Sequence, residues 1–576
     1  MKFHVVSSLY AVTFVSSATA APWQSTGNLT CRSMPGDVAW PNENDWQTLN
    51  ATIGGQLIRG EPLGEPCYGT HIDATACSDI QSRWGYAEEY YNDAINIMSP
   101  YWLNDSCNPF LTADGGVCTL GNLASYAINV TDADSVVAGI KFAQERNIRL
   151  SIKNTGHDYI GRSSGAGSLA LWTHNLKSIS FLNYSSEAYT GPAAVIGAGV
   201  QFSEAYAAAA EQGLRVTGGY CPSVGLAGGY VQNGGHGLLG SSYGLGADNV
   251  LAYEVVTTDG RHLTTSPTEN ADLHWALSGG GSGNYAVVLS VTIKAHIDGP
   301  VAGAALVFGN ADPEAFWAAV AAWQKHLLVL DRIHGLSTSA TLTSQSFSLN
   351  VATLPGGTED DIRAAMDPFY QELQDLNVTV ISNSTTVNPT YFEHFNAYTS
   401  YAPDATPPNN VLGGRLVSRS TVQDHTPELV DIFRSILGDT TVPFQAINFN
   451  AGNVTHAVSG NAPGSNAVLP AWRDSLYTTN FGILFAQNAS RTDLSFYQAK
   501  VNTWQDLFKP LTQGAYVNEA TFDNPDWKID YFGENYDELL RIKQKYDPEF
   551  SLWQHTAVGA DVYWKPSDGG RLCRVQ

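Results

Sequence analysis

The hydrophobic and polar positions fall into clean periods from about residue 119 onward. Val136, Val137, Ile140 and Ala143 recur at helical spacing behind Thr131 and Asp134, which suit a helix-opening capping box. Ile148, Leu150 and Ile152 then alternate with Arg149, Ser151 and Lys153, which predicts a strand with one buried face. The same order returns: Ser203 stands as cap before an alanine-rich helix ending near Gly213, and residues 214–217 read as a strand. An apolar run over residues 286–293 adds a buried strand. Residues 119–299 therefore read as an α+β lobe with βαβ character.

Beyond Gly299 the pattern changes. Phe347, Leu349 and Val351 alternate with polar residues, and helical stretches such as residues 359–375 separate such strands, so residues 300–510 predict an antiparallel sheet covered by helices on one side. Residues 511–576, rich in Tyr, Trp, Asn and Asp, are expected to return to the first lobe. Residues 21–118 carry Pro, Gly, Cys and Trp with little periodicity and read as a disulfide-braced extension. Residues 1–20 read as a secretory leader: Lys2, an apolar stretch from Val5 to Val15, then small residues at Ala18, Thr19 and Ala20.

Composition narrows the partners. With 43% hydrophobic and 15% charged residues the chain is not of the disordered class. A net charge of −24 opposes binding to nucleic acid or to anionic lipid. No later segment reaches the roughly 20 apolar residues of a membrane span. Nine Asn-X-Ser/Thr sequons, from Asn28 to Asn488, fit a glycosylating export route. The expectation is a secreted, monomeric chain whose partners are small molecules.

Seven cysteines leave one over if the rest pair, and an extra thiol in an oxidising compartment needs a reason. Proximity suggests Cys67 with Cys77 and Cys107 with Cys118, which leaves Cys31 with Cys573; sequence alone does not prove this connectivity. Cys221, alone in mid-chain, is the odd one out.

Three glycine-rich loops carry the candidate chemistry. The first is Lys153-Asn154-Thr155-Gly156-His157-Asp158-Tyr159, followed by Gly161, Ser163, Ser164 and Gly165. Backbone N–H groups without side-chain cover, with hydroxyls beside them, suit a pyrophosphate. The second runs through Gly218, Gly219, Cys221, Val224, Gly225, Gly228, Gly229, Asn233, Gly234, Gly235, His236 and Gly237 to Asp248, Asn249 and Val250. So much glycine costs backbone entropy and suits a backbone lying flat against a planar ring. The third spans residues 279–285. Shared contact with one large ligand accounts for all three.

These runs, KNTGHDYIGRSSGAGSLALW, GGYCPSVGLAGGYVQNGGHG with GLGADNV, and GGGSGNYAVV, resemble the PCMH-type FAD-binding domain of the vanillyl-alcohol oxidase superfamily, in its berberine-bridge-enzyme-like branch. GAYVNEA and DYFGENYDELLRIKQKYDP resemble that branch's closing segment, and residues 466–473 its substrate domain. The resemblance implies a two-lobed FAD-binding domain beside a substrate domain. It also implies FAD held by two covalent bonds, from His157 to the flavin 8α-methyl and from Cys221 to flavin C6. Val224 matches a position lining the flavin face where oxygen approaches, and its small aliphatic side chain resembles the oxidase pattern. Tyr516 and Asn518 match a Tyr-X-Asn near the ring. Tyr230 and Asn233 depart from the plant pattern of His and Gly. The implied reaction passes a hydride from an alcohol, saccharide or hydroxylated metabolite to FAD and on to O2, giving H2O2. The base is not identifiable in the sequence.

Rival motifs are weaker. Gly235-His236-Gly237-Leu238-Leu239-Gly240 matches the dinucleotide fingerprint without a preceding strand or a following amphipathic helix. Gly-X-Ser-X-Gly occurs around Ser163 and Ser242, which keeps a secreted serine hydrolase as the rival enzyme class, although neither precedes a convincing helix. A flavin-fold protein that only binds is the third reading.

Overall fold

The computed structural model describes residues 31–70, 72–103, 106–112, 117–399 and 409–575; the leader and the sequons at Asn28 and Asn104 lie outside the described residues. A four-stranded sheet comes first, in the order Leu57–Arg59, Tyr126–Asn129, Ser168–Trp172, Arg149–Lys153, with the last three strands parallel. Helix Ala133–Glu145 makes the crossover and buries Val136, Ile140 and Ala143 against Ile128, Leu150 and Leu171. Its cap is Asp132 rather than the expected Thr131: Asp132 Oδ1 accepts from Ser135 N at 2.8 Å, while Ser135 Oγ reaches back to Asp132 N. A carboxylate serves this role as well as a hydroxyl, and one-residue shifts are inherent in reading caps from sequence.

The strand Arg149–Lys153 departs from the expectation of one buried face. Lys153 is fully buried, and its Nζ donates to the carbonyls of Tyr90 (2.9 Å) and Asp93 (2.6 Å). The Arg149 guanidinium lies 5.1 Å from the Trp553 ring centroid and donates to Ser164 O. Chain segments distant in sequence cover the polar side, which local periodicity does not register.

A five-stranded antiparallel sheet follows, ordered Ile179–Ser185, Thr190–Gly197, Val287–Lys294, Val250–Val256, His262–Thr265. Helix Phe202–Glu211 is capped two residues before the expected Ser203, at Gln201, whose N–H donates to Glu204 Oε2 at 2.7 Å. The strand expected over residues 214–217 is only Leu214–Arg215, paired with His296–Ile297.

The largest sheet has seven antiparallel strands, ordered Val380–Asn388, Val301–Gly309, Ser346–Pro355, Ser337–Leu342, Phe444–Ala451, Ser475–Leu484, Asn410–Ser418. Helices Pro313–Leu330, Glu359–Asp375, Arg419–Leu437 and Arg491–Phe508 cover one face, closing a core that includes Phe308, Trp323, Phe347, Phe433, Phe449 and Phe481. Its other face is polar. Asn350 Nδ2 donates to Thr341 Oγ1, Thr341 Oγ1 to Asn448 Oδ1, and Asn448 Nδ2 to Asn480 Oδ1, all between 2.7 and 2.9 Å.

The C-terminal helix Tyr536–Tyr546 packs Leu539 and Ile542 against Ala276 and Tyr285 of the first lobe. Lys543 fixes it there: its buried Nζ bonds Asp547 Oδ2 (2.6 Å) and the carbonyl of Asn284 (2.5 Å). Cys67–Cys77 and Cys107–Cys118 are disulfides, as proximity suggested, and so is Cys31–Cys573, the pair left by elimination. Among the described residues no helix is long and apolar enough to cross a membrane.

Candidate active site

The three glycine-rich loops and the returning tail enclose one cavity of about 260 Å³. Asn154, Thr155, Gly156, His157, Asp158, Tyr159 and Ser163 line it from the first loop; Cys221, Val224, Gly225, Gly228, Gly229 and His236 from the second; Ser282 and Gly283 from the third; and Tyr516, Asn518, Glu519 and Gln554 from the tail. The loops approach closely because they lack side chains. A Cβ on Gly225 would lie 2.4 Å from Asn154 Nδ2, and one on Gly237 would lie 1.9 Å from the Gly218 carbonyl oxygen.

Within this lining His157 and Cys221, 64 residues apart in sequence, share a partner. His157 Nε2 lies 2.8 Å from Ser223 Oγ, and Cys221 Sγ lies 3.7 Å from that same oxygen. Burial first, and the Lys153 cation second, push the His157 pKa down to about 3, so the ring is neutral.

Asn518 knits the walls together. Its Nδ2 donates to Gly229 O (2.9 Å) and Tyr516 Oη (2.6 Å), and its Oδ1 accepts from Arg162 Nη2 (2.6 Å) and Asn233 Nδ2 (2.8 Å). Arg162 also pairs with Asp158 at 2.5 Å. Beside this hub Glu519 Oε1 lies 2.9 Å from His236 Nε2, and Glu519 Oε2 accepts from Asn480 Nδ2 at 3.0 Å. Burial opposes ionisation of Glu519, yet His236 and Asn480 outweigh it and hold the carboxyl below its ordinary value. Burial, with Glu519 alongside, raises Tyr516, which stays a neutral phenol.

Two family sequence patterns match the chain: one described as FAD binding domain over residues 124–266, the other as berberine and berberine like over residues 515–559. The FAD-linked oxidoreductase patO of Penicillium expansum is 41% identical over 550 residues, 95% of either chain. The VAO-type flavoprotein oxidase VAO615 of Thermothelomyces thermophilus is 41% identical over 562 residues, again 95% of each. The chain belongs to the VAO-type, berberine-like family of FAD-linked oxidoreductases. The crystal structure of the VAO-type flavoprotein MtVAO615 from Myceliophthora thermophila C1 superposes with a TM-score of 0.89 at 40% identity, covering 95% of this chain and 100% of that one. The two-lobed FAD domain with its helix-covered antiparallel substrate sheet is thus the family's architecture.

As the cavity of a VAO-type flavoprotein, the site suits FAD on its own geometry. Asn154 Oδ1 and Gln554 Oε1 are buried acceptors without a protein partner, ready for ligand N–H or O–H groups. A Cβ on Gly229 would stand in ordinary van der Waals contact with Ser282 Oγ (3.8 Å), Asn233 Nδ2 and Asn518 Oδ1 (both 3.9 Å), so the bare backbone here keeps the cavity wall thin.

Several expected contact residues lie outside the lining. Lys153 sits behind it on two carbonyls, and Ser164 Oγ donates to Asn122 O. Asn233 and Gly234 stand one layer back: Asn233 Nδ2 bonds Gly229 O and Asn518, and Gly234 packs on Val468. Gly237 provides the tight crossing with Gly218. Asp248 is saturated by Arg473, Asn461, Asn466 and Leu245 N; Asn249 Nδ2 bonds the Tyr243 and Leu245 carbonyls; Val250 opens a core strand. Sequence reasoning missed Arg162, Gln554 and above all Glu519, although Glu519 immediately follows Tyr516-Val517-Asn518.

The hydrolase reading finds no support. Ser163 is followed by strand Ser168–Trp172 rather than a helix, and Ser242 lies inside the four-residue helix Gly240–Tyr243. That same short helix removes the dinucleotide fingerprint's required geometry.

Proposed function

We propose that this chain is a secreted oxidase that holds FAD through His157 and Cys221 and oxidises a hydroxylated small molecule. The observation that carries the reading is the meeting of His157 and Cys221 at Ser223: two nucleophile types from separate loops in the lining of one glycine-walled cavity. Asn154 and Gln554 would accept hydrogen bonds from the cofactor, and the bare backbone of Gly228 and Gly229 would lie along it. When bound, FAD supplies a two-electron acceptor that takes hydride and is reoxidised by O2, releasing H2O2. Val224 lines the same space, and its small aliphatic side chain suits the approach of O2 in this reading.

Glu519 is the proton acceptor of this reading. It lines the cavity, is held ionised by His236 and Asn480, and stands where the polar face of the substrate sheet meets the flavin lobe. Tyr516, a neutral phenol held by Asn518, can donate a hydrogen bond to a substrate oxygen. The ladder from Asn350 through Thr341, Asn448 and Asn480 to Glu519 favours a substrate rich in hydroxyls, with alcohols, saccharides and hydroxylated secondary metabolites as the classes to try. O2 is the second partner, and the export of this proposal draws on the three disulfides.

The test is direct. Purified protein should stay yellow after acid precipitation and should consume O2 and release H2O2 with at least one compound from those classes. Colourless denatured protein would remove the covalent link, and flavin that is reduced without peroxide formation would make the enzyme a dehydrogenase.

A further inference from the structure

Ser223 is 2% exposed and touches both candidate attachment residues. Its backbone is fixed: Gln201 Nε2 donates to Ser223 O at 2.9 Å, and the helix behind it donates Phe202 N to Val224 O at 3.0 Å. A serine hydroxyl carries one proton, so it can donate to Cys221 Sγ or to His157 Nε2, not to both. Donation to sulfur favours the thiolate and obliges Nε2–H to be the donor to Oγ. The imidazole proton then sits on Nε2 and the Nδ1 lone pair is bare, because the bond made by one ring nitrogen sets the state of the other. In the opposite arrangement the thiol keeps its proton, Oγ–H points at Nε2, and Nδ1 is blocked by its own proton. The first state readies both nucleophiles and the second readies neither.

We propose that Ser223 is a positioning residue for flavin attachment, whose single hydroxyl sets the Cys221 thiolate and the His157 tautomer together and so couples the two linkages. The inference rests on the two-bond reading above. The thiol proton leaves to solvent, which reaches the half-exposed Cys221. Each linkage balances as one ring-side C–H and one residue N–H or S–H exchanged for a C–N or C–S bond. The two protons and two electrons so released reduce one O2 to H2O2. The neutral His157 ring, depressed by burial and Lys153, suits a nucleophile rather than a cation.

The test follows attachment rather than turnover. Full-length protein produced under riboflavin limitation is mixed with FAD in air, sampled over time, acid-precipitated, digested with trypsin and weighed. Ser223→Ala is compared with wild type, and Ser223→Thr with Ser223→Val, a pair of equal shape that differs in the hydroxyl. Quenching of FAD fluorescence checks non-covalent binding. Wild type and the Thr variant should form both linkages at similar rates. The Ala and Val variants should bind FAD yet form both linkages on the order of 10²-fold more slowly, the usual scale for a lost proton-positioning group. Unchanged rates in Ala and Val, or slowing of one linkage alone, would overturn the coupling. Wild-type protein that binds FAD and forms neither linkage would overturn the two-bond reading itself.

Discussion

Replacing Asp248 by Asn separates a flavin contact from a lock between lobes. The Asp248 side chain is fully buried and accepts from Arg473 Nη1 and Nη2 (both 2.8 Å), Asn461 (2.9 Å), Asn466 (2.8 Å) and Leu245 N (2.9 Å). Arg473 and both asparagines belong to the segment joining the last strands of the substrate sheet. Asn keeps the shape but removes the charge and turns one acceptor into a donor facing Arg473. The guanidinium, 11% exposed, is left without its counter-charge. Breaking such a pair costs about 3–5 kcal/mol, which is ~10²- to 10⁴-fold in the opening equilibrium. Urea unfolding followed by tryptophan fluorescence should show a clear drop in midpoint at pH 7, with flavin content unchanged. The sign of the pH dependence follows. Burial opposes ionisation of Asp248, but Arg473 outweighs it and its folded pKa is lowered, so its contribution is complete above the ordinary value of about 3.9 and is lost as pH falls through the folded value. The gap between Asp248→Asn and wild type should therefore close below about pH 4. An unchanged midpoint, or loss of flavin at unchanged stability, would refute the lock.

Other perturbations reach different parts of the site. Glu519→Gln should lower kcat by roughly 10²–10⁴-fold while leaving attached flavin in place, and the acid limb of the wild-type kcat profile should fall below the ordinary carboxylate value because that pKa is lowered; a profile unmoved by the substitution would exclude Glu519 as base. Gly237→Ala places a Cβ 1.9 Å from a carbonyl oxygen and should cost about 1–3 kcal/mol or more, read as loss of soluble, FAD-binding protein; wild-type yield and melting would contradict the close crossing. Asp547→Asn strands the buried Lys543 charge beside Asn284 and should destabilise by about 3–5 kcal/mol, with double substitution to apolar residues partly restoring the unfolding midpoint.

Much of this was legible because it is local. The helix over residues 359–375, the alternation around Phe347 and the short-range cysteine pairs need only neighbouring residues, and all appear as expected. Arg149 reads as the polar side of a strand and Lys153 as a ligand contact because the groups that cover them, Tyr90, Asp93 and Trp553, come from distant segments. Glycine spacing marked the cavity walls, since close backbone approach leaves that trace in composition. It did not separate residues that face the cavity from those one layer behind, such as Asn233 and Asp248. Glu519 was hidden for the same reason in reverse: its role depends on His236 and Asn480, which lie 283 and 39 residues away.

The most direct measurement is the mass of the tryptic fragments of wild-type protein. Cleavage after Lys153, Arg162, Arg215 and Arg261 releases residues 154–162 and 216–261. One FAD bonded at both ends of the Ser223 bridge must join these two fragments into a single yellow species with the summed mass plus one flavin. Two separate, unmodified fragments with a free thiol at Cys221 would contradict the account.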